Sequence, residues 1–336
     1  MTKFIVNIIK DIKTPLYSLD EQQLHYHVTD KMRALINIIY NVNISTSDIN
    51  LFDTMYEMEA IYSSEVEGYF TTRKDLSDFI SKRRDPSTKS EKAVFGNYMA
   101  IQHGLHHADE LYTKEFILEL NSLITGEYVD DYRMEPVVVS NKQGKVVHEG
   151  LPCDLLDAYM NNLLLFAEID EADPLITSAI LHFYMVYIHA FMDGNGRTAR
   201  AYSYSYLIHC GLNEFKLFSV SYMLPSKRKQ YYAELLRVET NGYDLTNFIE
   251  FMLEVILEGL RSIGRIQNQV LIIKEAESIF RENEIPFSNM TENILKFILT
   301  KDNFTVENFY KKNKSRYKRL GLTDTEIKDD INTVIN

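Results

Sequence analysis

The 336 residues are 45% hydrophobic and 25% charged, the balance of a soluble globular chain long enough for one large core and one or two smaller domains. A formal net charge of −12 argues against a dominant nucleic-acid or anionic-membrane role for the chain as a whole. Two cysteines, Cys153 and Cys210, are too few for a disulfide framework or a zinc site, and the expected setting is a reducing cytoplasm.

The first residues hold a short apolar patch, Phe4 to Ile9, broken by Lys10 and Asp11 and too short for a signal segment. Residues 1–45 read as mixed helix and loop. Phe52, Met55, Tyr56, Met58, Glu59, Ile61 and Tyr62 then recur at helical spacing, which predicts a helix over about 50–68. Gly68 stands where its C-cap would be, and Ser63 and Glu67, four apart, share a face. Residues 81–90 are polar, contain Pro86 and read as an exposed connection. Helices follow near 91–109, 113–125, 153–168, 174–190, 198–211, 226–238 and 244–260. Between the second and third lie two β-branched runs, Pro136-Val137-Val138-Val139 and Lys145-Val146-Val147, around the turn Ser140 to Gly144. They predict a hairpin.

The span from Pro174 to Met192 has nineteen residues without a formal charge. A membrane crossing is possible on length alone, but Thr177, Ser178, His182 and His189 interrupt it. Asp173 and Pro174 read instead as the N-cap and first position of a buried helix, apolar on all faces and central to a bundle. Near the C-terminus, Asn289 to Leu299 is amphipathic, Phe304 to Tyr310 begins a second helix and Asp324 to Ile335 a third. Residues 301–320 carry seven Lys/Arg against two Asp/Glu. This basic island reads as a solvated or protein-docking face in preference to a DNA or RNA surface.

The densest chemistry lies in His189-Ala190-Phe191-Met192-Asp193-Gly194-Asn195-Gly196-Arg197-Thr198-Ala199-Arg200. Gly194, Asn195 and Gly196 favour a turn, and a helix resumes near Arg197, so backbone N–H groups gather at a helix N-terminus that suits an anion. Arg197 and Arg200, three apart, can grip phosphate oxygens. Asp193 is a hard oxygen ligand for magnesium, and His189 can take a proton from an attacking hydroxyl. An EF-hand is excluded, because counting from Asp193 its sixth position is Thr198 and its twelfth Tyr204. No Gly-Lys-Ser/Thr follows the glycines, so a Walker P-loop is excluded too.

This segment resembles the Fic (filamentation-induced-by-cAMP) motif, H-x-F-x-(D/E)-G-N-(G/K)-R-x-x-R, with Ala190 in place of the usual Pro. Ser63, Glu67 and Gly68 resemble the family's inhibitory motif, (S/T)-x-x-x-E-(G/N), carried on an N-terminal helix (the class II type). The resemblance covers roughly residues 50–255. It implies a mainly α Fic-type helical bundle with a small β-hairpin flap: an N-terminal region over 1–90, a catalytic core over 91–260, and a small helical, winged-helix-like domain over 265–336. It implies a protein adenylyltransferase, moving AMP from ATP to a Ser, Thr or Tyr hydroxyl of a target protein or of the chain itself. Under it His189 is the general base, Asp193 binds Mg²⁺, Gly194, Asn195 and Gly196 line the anion hole, and Arg197 and Arg200 hold phosphates. Gly196, where phosphate-transferring relatives carry Lys, favours nucleotidyl transfer. Glu67 would pair with Arg200 and hold the enzyme inactive. Val137, Val138, Val139, Lys145, Val146 and Val147 would form the target-binding flap. Tyr232 either stacks on adenine, as the resemblance implies, or fills core at helical spacing. Alternatives are removal of AMP by hydrolysis and a nucleotide-sensing regulator acting through the C-terminal domain. A homodimer is usual for relatives.

Overall fold

The structure is a computed structural model that describes residues 11–42, 49–140, 143–212 and 219–282, with six isolated positions beyond. The patch Phe4 to Ile9, the turn residues Asn141 and Lys142, the basic island 301–320 and the expected helix Phe304 to Tyr310 lie outside these residues. Most of Asn289 to Leu299 and of Asp324 to Ile335, the segments expected to form the winged-helix-like domain, lies outside as well. The chain divides into two compact units, 1–261 and 262–336. The expected N-terminal region and catalytic core both fall within the first.

The described residues are mostly helical, as expected, but they begin with β-structure where mixed helix and loop was anticipated. Strands β1 (Ile12–Tyr17) and β2 (Gln23–Tyr26) form an antiparallel hairpin. Thr14, Leu16, Leu24 and Tyr26 point inward, while Lys13, Pro15 and Tyr17 face solvent, a period of two. Pro15 is tolerated because a two-stranded sheet leaves an edge that needs no donor. The hairpin is tied to the core: the Leu19 N–H donates to the Tyr187 hydroxyl (2.9 Å), and the Tyr184 and Tyr159 hydroxyls donate to the carbonyls of Tyr17 and Ser18.

Helix α1 (Asp30–Asn41) starts at Thr29, whose hydroxyl accepts from the Met32 N–H. Helices α2 (Ile49–Val66) and α3 (Arg73–Ile80) follow. Helix α4 (Lys89–His106) opens on a capping box between Thr88 and Glu91, and α5 (Lys114–Thr125) ends on Gly126 in the left-handed region, φ +73°. Strands β3 (Val138–Ser140) and β4 (Val146–Glu149) make the expected hairpin. Then come α6 (Leu156–Ile169), α7 (Pro174–Ile188), α8 (Asn195–His209), α9 (Ser219–Tyr222), α10 (Arg228–Thr240) and α11 (Thr246–Glu282).

Helix α7 is the axis of the core. Asp173 caps it, accepting from the Leu175 N–H, and Pro174 is its first residue. All but two of its residues are buried, and its 15 residues rise about 22 Å, short of a bilayer core. No helix among the described residues is long and apolar enough to cross a membrane. Ile180, Leu181, Tyr184 and Ile188 of α7 and Tyr202 and Leu207 of α8 are fully enclosed. Burying each Leu or Ile contributes about 1.5–3 kcal/mol. Helix α4 lies close against α5 and α8 because Gly96 faces the Leu123 carbonyl and Gly104 the Ser205 hydroxyl, places that a Cβ would fill. This packing fixes the turn between α7 and α8, where the site is built.

Candidate active site

Helix α7 stops at His189, which takes the left-handed conformation (φ +54°, ψ +55°) and donates its N–H to the Met185 carbonyl. Such backbone is costly for a residue with a Cβ, so the surroundings must hold it. The ring Nδ1 lies 3.2 Å from the Val186 carbonyl. Only a protonated Nδ1 can bond there, which leaves Nε2 with the lone pair a base requires. Burial, then the nearby His148 ring, lowers the His189 pKa to about 4, so the imidazole is neutral at neutral pH.

The loop after His189 is locked by Asn195. Its Oδ1 accepts from the Phe191 N–H (2.9 Å) and its Nδ2 donates to the Phe191 carbonyl (2.7 Å). The Asn195 side chain is therefore spent on the loop, and only its backbone N–H is left for an anion hole. Gly194 precedes α8 at φ +81°, with Asn121 so close that a Cβ would meet its amide at 2.9 Å. Asn121 Nδ2 donates to the Asp193 carbonyl and to the Thr198 hydroxyl, both at 3.0 Å. The first intrahelical bond of α8 runs from Thr198 N–H to Gly194 carbonyl, so the N–H groups of Asn195, Gly196 and Arg197 have no partner within the helix.

Glu67 sits over this N-terminus. It follows α2, whose end is closed by Gly68 at φ +88°. A Cβ on Gly196 would collide with Glu67 Oε1, so glycine here is what lets the carboxylate approach. The same Oε1 accepts from Arg200 Nη2 at 2.8 Å, and Glu67 Oε2 accepts from the Tyr232 hydroxyl at 3.4 Å. Arg200 is 1% exposed, and Ser63 accepts from it twice: the hydroxyl from Nε and the carbonyl from Nη2, each at 2.8 Å. Ser63, Glu67, Gly196, Arg200 and Tyr232 thus meet at one point. Tyr232 is on α10, 39% exposed, with the Arg228 guanidinium 5.3 Å from its ring centroid, so it is not core packing.

The two motif arginines do not converge, contrary to expectation. Arg197 is buried and turns to the other flank, donating to the carbonyls of Ile124 (3.0 Å) and Ala93 (3.4 Å) beneath the Tyr69 ring. The Ile124 carbonyl at the end of α5 and the Ala93 carbonyl of α4 draw one guanidinium, and Ser63 with Glu67 draws the other. On the Arg197 side lies a cavity of about 550 Å³, lined in part by Tyr69, Lys89, Lys92, Asp193 and Arg197. The Asp193 carboxylate is 62% exposed and 3.6 Å from Arg197 Nη2, and its Oδ1 accepts from the Gly194 N–H. Among the described residues, no group of three or more His, Cys, Asp or Glu side chains could enclose a metal. The accessible Asp193 carboxylate at this cavity nonetheless fits magnesium, which keeps waters and takes one or two carboxylates beside substrate phosphates.

The hairpin pairs Val138 with Glu149, Val139 with His148 and Ser140 with Val146, with an irregularity after Val139. Val137 and Lys145 stand just before the strands. The Val137 carbonyl accepts from Gly150 N–H. Val138, Val146 and Val147 are exposed, and among the described residues the two-stranded sheet has an outer edge with no further strand on it. His148 ties β4 inward, with Nε2 2.9 Å from the Tyr187 carbonyl and Nδ1 3.1 Å from Glu239 Oε2. Sequence reasoning missed His148, Asn121 and the site role of Arg133. Only Asn121 left a usable signal, as a polar residue on the apolar stripe Phe116, Ile117, Leu120 and Ile124.

Residues 111–207 match the Fic/DOC family model. The chain is 25% identical over 246 residues to a protein adenylyltransferase Fic of Drosophila mojavensis, covering 70% of this chain and 45% of that protein. It is 35% identical over 92 residues to another from Nematostella vectensis, covering 27% of this chain and 20% of that one. The chain thus spans less than half the length of the curated relatives it matches. In fold it is similar to a Fic family protein from Desulfovibrio desulfuricans G20 (TM-score 0.61, 19% identity, 79% of this chain and 87% of that one). It is also similar to a Fic domain containing signaling protein from Bacteroides thetaiotaomicron (TM-score 0.58, 18% identity, 71% and 97%). With the His189–Arg200 turn inside the matched segment, residues 111–207 of the chain carry a Fic/DOC family domain.

Proposed function

We propose that this protein transfers AMP from ATP to a hydroxyl of a protein, and that Glu67 holds it in an inactive state. The observation that carries this reading is the Glu67 carboxylate, set over Gly196 and paired with Arg200 at 2.8 Å, in the place an incoming phosphate needs. The polyphosphate of ATP lies along the N-terminus of α8, with Arg200 and the N–H groups of Asn195 and Gly196 facing it. Asp193 would hold a magnesium ion, which when bound neutralises phosphate charge. The target segment adds to the outer edge of the β3–β4 hairpin through main-chain bonds, bringing its hydroxyl to His189. His189 Nε2 takes the hydroxyl proton, the oxygen attacks the α-phosphorus, and the bond to the bridging oxygen of the β-phosphate breaks. Pyrophosphate leaves, its charge held by arginine and the helix N-terminus. Glu67 blocks the sequence by occupying Arg200. The names of the curated relatives support the activity, and the intact His189 supports chemistry over nucleotide sensing alone.

The test is transfer of radiolabel to lysate proteins and to the protein itself by the Glu67→Gly variant. Label at the α-phosphate of ATP is expected in protein, and label at the γ-phosphate is not. Transfer of the γ-label, or α-label transfer that survives His189→Ala, would overturn the reading.

A further inference from the structure

We infer that Arg133 is a positioning residue for His189, a strut that sets the base and the flap in one frame. The inference rests on the reading of His189 as the general base, and its argument is geometric. Arg133 is 6% exposed and lies in the loop that leads into β3. Its Nε–H donates to the His189 carbonyl at 2.8 Å, and its backbone N–H donates to the Ala190 carbonyl at 3.0 Å. One residue therefore fixes both peptide groups that follow the imidazole. The remaining guanidinium hydrogens reach the two ends of the flap. Nη1 donates to the Glu135 carbonyl (2.9 Å) ahead of β3 and to Cys153 Sγ (3.1 Å), and Nη2 donates to the Leu151 carbonyl (2.5 Å) after β4.

His189 needs such a strut because its left-handed backbone is unfavourable by itself. The chain also has Ala190 where a proline would restrict the peptide. Lysine could not serve, since only a guanidinium presents a planar fork of donors to carbonyls on three sides. Gly150 is the point where the parts meet. A Cβ there would come within 2.6 Å of Arg133 Nη2, 2.9 Å of Val137 Cγ1 and 3.2 Å of His189 Cβ. The flap that presents the target and the ring that takes its proton are thus spaced by the same side chain.

The experiment uses Arg133→Gln and Gly150→Ala, each in the full chain with Glu67→Gly. Gly150→Ala changes no charge and wedges the strut from outside, so it serves if Arg133→Gln fails to fold. Two readouts are taken: kcat and KM for AMP transfer, and the His189 imidazole titration followed by NMR, assigned by its loss in His189→Ala. Both variants are expected to lower kcat on the order of 10–100-fold, with KM for ATP changed by no more than about threefold. The titration midpoint is expected to move up from about 4 toward the ordinary histidine value as the ring gains solvent. A merely structural role would lower the melting temperature and leave the midpoint of the folded protein in place. An unmoved midpoint in both variants overturns the positioning role, whatever the enzyme does. A moved midpoint in protein that transfers no AMP upholds it and counts against the proposed reaction instead.

Discussion

Glu59 provides a test of how the Glu67-bearing helix is docked. It lies on α2, eight residues before Glu67 and four before Ser63, and is 3% exposed. Its Oε2 accepts from the Ser221 N–H of α9 at 3.1 Å. Burial pushes its carboxyl up to about 7, against the opposing pull of Ser221 and Arg200. The unfolded chain releases this proton near 4.5, so between those values the folded protein binds more protons than the unfolded one. Stability from this group is therefore fully present below about 4.5 and lost as pH rises through 7. Two and a half units correspond to about 3 kcal/mol. Glu59→Gln keeps an acceptor for Ser221 and removes the titration. Urea unfolding of wild type and variant, followed by circular dichroism from pH 5 to pH 8, isolates the effect, because His182 and His189 contribute equally to both proteins. The variant is expected to gain on the wild type by roughly 2–3 kcal/mol across that range. A constant difference over the whole range would refute a buried, protonated Glu59.

Other outcomes follow from the same geometry. His182 is fully enclosed, its Nε2 2.8 Å from the Tyr231 hydroxyl, and burial holds its pKa down to about 3. The unfolded chain takes up a proton near 6.5 that the folded one refuses, so stability is lost as pH falls from about 6.5 toward 3, and His182→Phe should flatten that acid limb in thermal melts. Asn195→Ala removes both bonds to Phe191 and should cost about 1–3 kcal/mol in urea unfolding; a loss below about 0.5 would show that the loop is held by other means. Gly196→Ala should destabilise the wild type more than Glu67→Gly, with a coupling of about 1 kcal/mol in a double-mutant cycle, because the added methyl meets Glu67. Additive effects would remove Glu67 from its position over α8.

What could be read from the chain was local. The boundaries of α7 follow from Asp173, Pro174 and a run apolar on every face, all within a few residues of one another. The turn His189 to Arg200 is legible because base, carboxylate, glycines and arginines are compressed into one loop. The hairpin 138–149 declares itself by β-branched runs flanking Gly144. The unread parts depend on distance along the chain. Arg133 bonds a carbonyl 56 residues away and Asn121 one 72 residues away, and neither partner leaves a mark in the side-chain pattern. The direction of Arg197 was misjudged because a three-residue spacing fixes the face of a helix but not which carbonyls stand opposite it. The β1–β2 hairpin did alternate, but Pro15 and short strands obscured the period.

The measurement closest to the central claim is the initial rate of AMP transfer by wild type and by Glu67→Gly under the same saturating ATP. The Glu67–Arg200 contact is a charge-assisted bond between a residue 28% exposed and one 1% exposed, worth about 1.5–3 kcal/mol once solvent screening is allowed for. Releasing it should raise the rate roughly 10- to 150-fold, and adding His189→Ala should abolish the gain. Rates equal within about twofold, with ATP bound by both proteins, would contradict the account.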